Sequence, residues 1–507
     1  MPRRYALLLP PGGETTTIAL RTPVLQAAGD PRPLGIRLAQ VDLRVTGARG
    51  APLADLLASS VLLLVLGALL VRAGAAAIVR WTTLAALVGL VGFASWSFPL
   101  VSRSYLINLA TAALLLALLT WLLLPRLEAL NALGVPRARV LWQIALLACE
   151  LRLIGVLFPL FGAYDLDLNL GRLLRVATGT LVATNESFEF RGGVTVYPPG
   201  PYLALLPGLL AGITPKLLVQ GGIAIIDGLS VLGTAGLALA LGAGWRTARI
   251  AALLHVALPI SLTSLWYGHA AQSFGQALIT PLALLLLVAL RRGGRWPWIG
   301  AGVLLSMALL SHIGVTILAV AWLGLAWLPL ARTAAGRWRA YNALLVVAGM
   351  IGLVFVYGPT AALKLRELGE VGAELTAGGS TLPAYPFIWR AFTISYYALG
   401  WQLLLPGLLL LPRIDRSGRI LSGAWVIVVV IFWGIEMLSA LQVRYMIFVA
   451  PLACLLIARP LAALEQRGAA GERVVVPTIM LLLALGAGIW LRGTFALVQP
   501  SMLPLLR

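Results

Sequence analysis

The chain is poor in charge. Only 11% of its 507 residues are Asp, Glu, Lys or Arg, against 60% hydrophobic, which excludes a water-facing surface over most of the molecule and makes lipid its main solvent. Cysteine is scarce too. Cys149 and Cys454 each sit in an apolar run with neither metal-ligand spacing nor a disulfide framework, so both read as small buried hydrophobes. Series of short alternating strands are lacking across the apolar part, which excludes a membrane β-barrel. The opening MPRRYALLLPPGG has no apolar core of a secretory signal. The formal charge of +20 is not gathered into one basic domain; arginines fall in pairs and triplets between apolar runs, which argues against a nucleic-acid partner.

What is present is a recurrence of apolar stretches of roughly 17–25 residues from about Leu56 onward, the length that crosses the hydrocarbon layer as a helix. The pattern predicts an all-α polytopic membrane protein of about 14 transmembrane helices. Alternate breaks carry the positive charge, among them Arg72 and Arg80, Arg137 and Arg139, Arg246 and Arg249, Arg291 and Arg292, and Arg416 and Arg419. The positive-inside rule makes this set cytoplasmic and leaves the loops 163–216 and 359–392 and the C-terminal tail outside.

Residues 1–50 read as a short β-rich extracytoplasmic segment. TTTIALRT alternates, and GIRLAQVDLRV changes phase as a bulge near Ala39 and Gln40 would make it do. Such a segment fits a small cap, or the remnant of a larger sandwich whose upstream part is missing. Residues 51–139 read as three accessory spans, 140–462 as the transmembrane core, and 463–507 as a last span with an outer tail. Within the core, the apolar run Tyr202 to Ile213 is too short to cross and reads as an interfacial or re-entrant helix on the outer leaflet.

The stretch FGAYDLDLNLGR, Phe161 to Arg172, places two aspartates at the outer exit of a span. Asp165, Asp167, Asn169 and Arg172 there share the outer surface with Tyr197 and Lys216, which flank the interfacial helix. His269 in a short outer loop, His312 at a span mouth, Arg390 in the second large loop, and Arg444 with Tyr445 at another mouth complete the set. A carboxylate beside water at the membrane surface suits general-base work on a hydroxyl or amine, and cations at that depth suit a lipid phosphate. If this stretch begins a helix, Asp165 and Asn169 share a face at i and i+4 while Asp167 points elsewhere.

Each residue also has a plainer reading. Asp165 is an exposed loop acid or N-cap, Arg444 a headgroup anchor, His312 with Ser311 a cap, and His255 a packing residue in mid-span. Glu150, Arg152, Asp227 and Glu436 lie inside spans, where an ionised group needs a partner. Glu150 and Arg152, two apart, cannot face each other on a helix, so interhelical ion pairs are expected.

The order and sidedness of these motifs carry a resemblance. A long span ends in an aspartate-bearing outer loop, GVTVYPPGPYLALLPGLL follows, SHIGVT stands at a span mouth, and VRYMIFVAPL lies near the end. From about Val140 to Ala462 this resembles the GT-C-type membrane glycosyltransferases, the group that includes protein O-mannosyltransferases and lipid A aminoarabinose transferases. The resemblance implies transfer of a sugar from a polyprenyl-phosphate carrier to an acceptor on the extracytoplasmic face of the plasma (inner) membrane. It assigns the role of base or acceptor-positioning group to Asp165, and to Asp167 behind it. Arg444 would hold the carrier phosphate, with Tyr445, His312, Tyr197, Lys216, Arg390, Asn169 and His269 as further substrate or phosphate contacts. It differs from the family in having Tyr197 where a lysine often precedes the paired prolines, and Asp-Leu-Asp where Asp-Glu is common. No cofactor is implied; Asp165, Asp167, Glu186 and Glu189 are the acids that could recruit a divalent ion. The alternative is a transporter or flippase of a lipid-linked saccharide or small solute, a class that places its acids near the midplane and tends to show two matching halves, whereas here the acids lie at one face and no repeat is evident.

Overall fold

A computed structural model of the chain describes residues 53–97, 101–130, 133–181, 183–186, 194–333, 337–359, 361, 395–397, 400–409, 414–439 and 446–496. The β-rich reading of residues 1–50, most of the 359–392 loop, and the candidate residues Arg390, Arg444, Tyr445 and Glu189 lie outside the described residues. All that is described belongs to the compact unit beginning at Ala51.

Three helices, α1 (Leu53–Arg72), α2 (Ala77–Ser97) and α3 (Ser102–Glu128), precede α4 (Val135–Val156), which leads into the short α5 (Leu166–Ala177). An antiparallel hairpin of β1 (Ala183–Glu186) and β2 (Val194–Tyr197) follows, pairing Ala183 with Tyr197. Next come α6 (Gly200–Leu210), a π-helical turn Leu217–Gly222 continuous with α7 (Ile223–Ala240), α8 (Trp245–Val256) and α9 (Pro259–Tyr267). Then follow α10 (Ala270–Arg292), α11 (Arg295–Leu309), α12 (Ile313–Thr333) and α13 (Trp338–Gly352), and the helices Gly400–Leu409, Arg416–Ser439, Met446–Glu465 and Ala469–Ala496.

Among the described residues, eleven helical stretches are long and apolar enough to cross a bilayer, so the chain is a polytopic α-helical membrane protein. One of them, Trp245–Tyr267, is broken into α8 and α9. The break has a local cause: Pro259 offers no N–H and pushes Leu258 out of the helical region, to ψ 120°, before opening α9 at its first turn. By contrast α6, with 11 residues, rises only about 16 Å and falls short of the hydrocarbon thickness.

The helix ends segregate by charge. At one end Arg72 and Arg139 meet Glu128 at 3.4 and 2.8 Å, Arg246 and Arg249 converge on Glu465, and Arg291 pairs with Asp415 and donates to the Ala240 carbonyl at 2.6 Å. Arg137 lies 5.7 Å from the centroid of the Trp245 ring. The opposite end, reached by α4, α9 and α11 and starting α10 and α12, carries the paired aspartates.

In the interior α7 packs against α4, α8 and α10, with its Gly228 set against Cys149 of α4 and its Gly233 against Thr280 of α10. There Arg152 donates from Nε to Asp227 Oδ2 at 2.6 Å, and from Nη1 to the carbonyls of Ala148 at 3.0 Å and Val256 at 2.7 Å. This is the interhelical pairing that an arginine inside a span demands, and it joins α4 to α7 and α8. His255 on α8 meets Thr234 Oγ1 at 2.7 Å, as a packing histidine should. Glu150 is different: its Oε1 is buried with no hydrogen-bond partner among the described residues. The side chain of Glu436 lies outside them.

Candidate functional site

The paired aspartates follow a rigid exit. Phe158 packs against Phe495 at 4.8 Å between ring centroids, and Phe161 against Trp266 at 5.0 Å and Trp490 at 5.8 Å, so the chain leaves α4 in a fixed direction. Its backbone then runs along the end of α9: Tyr164 N–H donates to the Trp266 carbonyl at 3.3 Å and Asp165 N–H to the Tyr267 carbonyl at 3.0 Å. This approach needs Gly268. Its φ is +77°, and a Cβ there would lie 3.0 Å from Ala163 Cβ and 3.1 Å from Asp165 N.

Asp165 stands at the N-cap position of α5, yet its side chain makes no capping bond, so the plainest structural use of this acid is not the one observed. It is half-buried, whereas Asp167, in the first turn of α5, is exposed. Asn169, one turn on, is 3% exposed. Its Nδ2 donates to the Asp165 carbonyl at 2.7 Å and the Gly268 carbonyl at 2.9 Å, while its Oδ1 accepts from the Tyr202 hydroxyl at 2.7 Å. The shared face of Asp165 and Asn169 is therefore real, but Asn169 grips the backbone of Asp165 and acts as a clip between α5, the α9–α10 turn and α6.

Through α6 the clip reaches a further candidate. Gly200 N–H donates to the Leu310 carbonyl at 2.8 Å, and a Cβ on Gly200 would sit 2.5 Å from that oxygen. This docks the turn bearing Ser311 and His312 on the same hub. His312 Nδ1 accepts from Gly314 N–H at 3.1 Å, and Ser311 Oγ donates to the Ala308 carbonyl, so this turn does cap its helix. His269 opens α10, 8% exposed, with its ring stacked on Tyr267 at 5.8 Å.

A small cavity of about 20 Å³ lies under the rim, lined on its polar side by Asn169, Gln220 and His269, enough for one water. Gln220 belongs to the π-helical turn, and both atoms of its amide are buried with no partner among the described residues. Lys216, half-buried at the start of the same turn, points Nζ at the Pro159 carbonyl at 3.4 Å. Burial holds its amine below the ordinary lysine value, and the charge of Asp167 works against that shift.

Arg172 lies two turns along α5 from Asp165. It is 7% exposed, and its guanidinium carbon is 3.2 Å from the centroid of the Tyr197 ring. Burial raises the Tyr202 phenol above its usual value; the charge of Arg172 lowers it, and Tyr197 and Asp165 add upward pressure. Arg172, Tyr197, Tyr202 and Asp165 thus share one electrostatic neighbourhood. Of the sequence-predicted residues, Asp165, Asp167, Asn169, Tyr197, Lys216, His269 and His312 lie at this end, Asp165 and Asn169 held by the bonds above and Asp167 related to Lys216 by charge alone. Tyr202, Gln220 and Gly268 were not singled out from sequence; the only signal for Tyr202 is its place just after the YPPGP run. No group of three or more His, Cys, Asp or Glu with metal-holding spacing occurs among the described residues. A half-buried carboxylate next to a buried cation and a phenol can take a proton from a hydroxyl or amine and hold an oxyanion nearby. No family model and no curated protein matches the chain.

Proposed function

We propose that the chain is a GT-C-type membrane glycosyltransferase that moves a sugar from a polyprenyl-phosphate carrier to an acceptor on the extracytoplasmic face of the plasma membrane. The reading takes about 14 spans, with α4 and α11 among those beyond the eleven, α6 on the outer leaflet and the N-terminal segment outside. The observation that supports it best is the placement of Asp165: backbone bonds and the Asn169 clip hold the residue half-buried in one electrostatic neighbourhood with Arg172 and Tyr202.

In this reading Asp165 takes the proton of the acceptor O–H or N–H as the acceptor atom bonds to the anomeric carbon. The bond from that carbon to the phosphate oxygen breaks, and the carrier phosphate leaves with the electron pair, inverting the centre. A phosphate leaving group is already good, so the protein supplies orientation, a base and cations. Asp167, exposed, is the second candidate for the role of base, and Arg444 and Tyr445 keep the phosphate-holding role that the resemblance gives them.

The test is Asp165→Asn in membranes supplied with labelled lipid-linked sugar. Transfer should fall by about 10²-fold or more with the melting temperature unchanged. Full transfer by this variant removes Asp165 from the chemistry. Transport is the rival reading, supported by the buried Arg152–Asp227 pair within the bundle. Substrate flux across sealed vesicles with no covalent product would favour it.

A further inference from the structure

The guanidinium of Arg172 has an unmade edge. Its Nε and Nη2 are buried and have no hydrogen-bond partner among the described residues, in a side chain only 7% exposed. These two donors lie on one side of the planar fork, the side that meets two oxygens of one anion at once. The guanidinium carbon of the same fork lies over the Tyr197 ring, 3.2 Å from its centroid, which helps to hold it in place. Other polar groups at the hub are committed: Asn169 uses both ends of its amide, and Tyr202 gives its proton to Asn169. Burying charged donors without acceptors is unfavourable enough that native interiors supply a partner.

We propose that Arg172 is an oxyanion-binding residue whose Nε–Nη2 edge receives two oxygens of a phosphate group on the helix that Asp165 begins. That the phosphate belongs to a lipid-linked donor rests on the glycosyl-transfer reading; the anion site itself rests on Arg172 and Tyr197. Arg172 fits the role better than a lysine would, because an ammonium can neither stack flat on Tyr197 nor present two parallel donors.

The full chain, purified in uncharged maltoside micelles, is titrated with a long-chain alkyl monophosphate below its micelle concentration, with the matching alcohol, and with inorganic phosphate, following the melting temperature. The alkyl phosphate should stabilise the wild type and the alcohol should not. Arg172→Met and Arg172→Lys should each weaken the apparent affinity by about tenfold or more, the lysine variant controlling for folding and charge. A stronger response to alkyl phosphate than to inorganic phosphate assigns a lipid source, and equal responses assign a site for the phosphate group alone. Unchanged affinity in both variants, or no response of the wild type to either phosphate, overturns the inference. Binding is read without turnover, so the two proposals fail separately: Arg172-dependent binding alongside full transfer by Asp165→Asn sinks the catalytic assignment and leaves this one standing.

Discussion

Truncating Asn169 should loosen the aspartate-bearing segment far more than it loosens the bundle. Asn169→Ala deletes contacts at 2.7, 2.9 and 2.7 Å from a position 3% exposed. Each bond contributes about 1 kcal/mol net; the Gly268 carbonyl keeps the Ala270 N–H at 2.7 Å, but the Tyr202 hydroxyl loses its acceptor, and a buried polar group without a partner costs about 1–3 kcal/mol. The local opening free energy of residues 163–172 should therefore drop by about 3 kcal/mol, which raises amide exchange there roughly 100-fold. Tyr202→Phe keeps the ring and loses one bond, so its effect should be near 1 kcal/mol. Because both changes remove the same Tyr202–Asn169 bond, the double variant should fall short of their sum by about 1 kcal/mol. Hydrogen exchange read by mass spectrometry gives all three numbers. Unchanged protection in Asn169→Ala, or strict additivity in the double variant, refutes the clip.

The remaining predictions concern the frame around that segment. Asp227→Ala strands Arg152, whose side chain is fully buried, and should cost about 3–5 kcal/mol in detergent unfolding, with Arg152→Met in the same chain recovering most of it; no recovery would mean that the pair is not the unit. Gly268→Ala forces a side chain into positive φ against the Asp165 backbone and should cost about 1–2 kcal/mol and raise exchange at residues 163–165, and a neutral outcome would show that the approach can relax. At the arginine-rich end, burial pushes the Asp415 carboxyl up, but the hydrogen bond and charge of Arg291 outweigh it and hold it below the usual 3.8. The stabilisation is full above that value and is lost as pH falls through the lower folded one, so Asp415→Asn should flatten the acid limb of a melting-temperature curve. An unchanged limb would show that the pair is screened.

The membrane part of the fold was legible because one solvent imposes one pattern: long apolar runs, arginines at alternate breaks, and a run too short to cross between Tyr202 and Ile213. Arg152 shows where such reading stops. Helical spacing excluded Glu150 as its partner, yet only the packing of α4 on α7 identifies Asp227, and only the break at Pro259 brings the Val256 carbonyl within reach. A sequence fixes which face of a helix a residue occupies; which helix that face meets is set by the whole bundle.

The rim follows the same logic one step further. Asp165 and Asn169 were related by spacing, but the spacing could not say whether the amide would meet the carboxylate or the main chain, and that choice separates a substrate ligand from a strut. Sorting the rim by hydrogen-bond capacity settles it. Asn169 is committed at both ends of its amide and Tyr202 through its hydroxyl proton, so they build the site, and His312 gives Nδ1 to its own helix start. The Nε–Nη2 edge of Arg172 then stands apart as the uncommitted pair of donors, two turns along from Asp165, the proposed base. A base and an anion fork on one 12-residue helix, α5, move together or not at all. If the reading holds, loosening the clip at Asn169 should therefore degrade proton transfer and phosphate affinity in the same variant, whereas a site assembled from independent loops would lose one and keep the other.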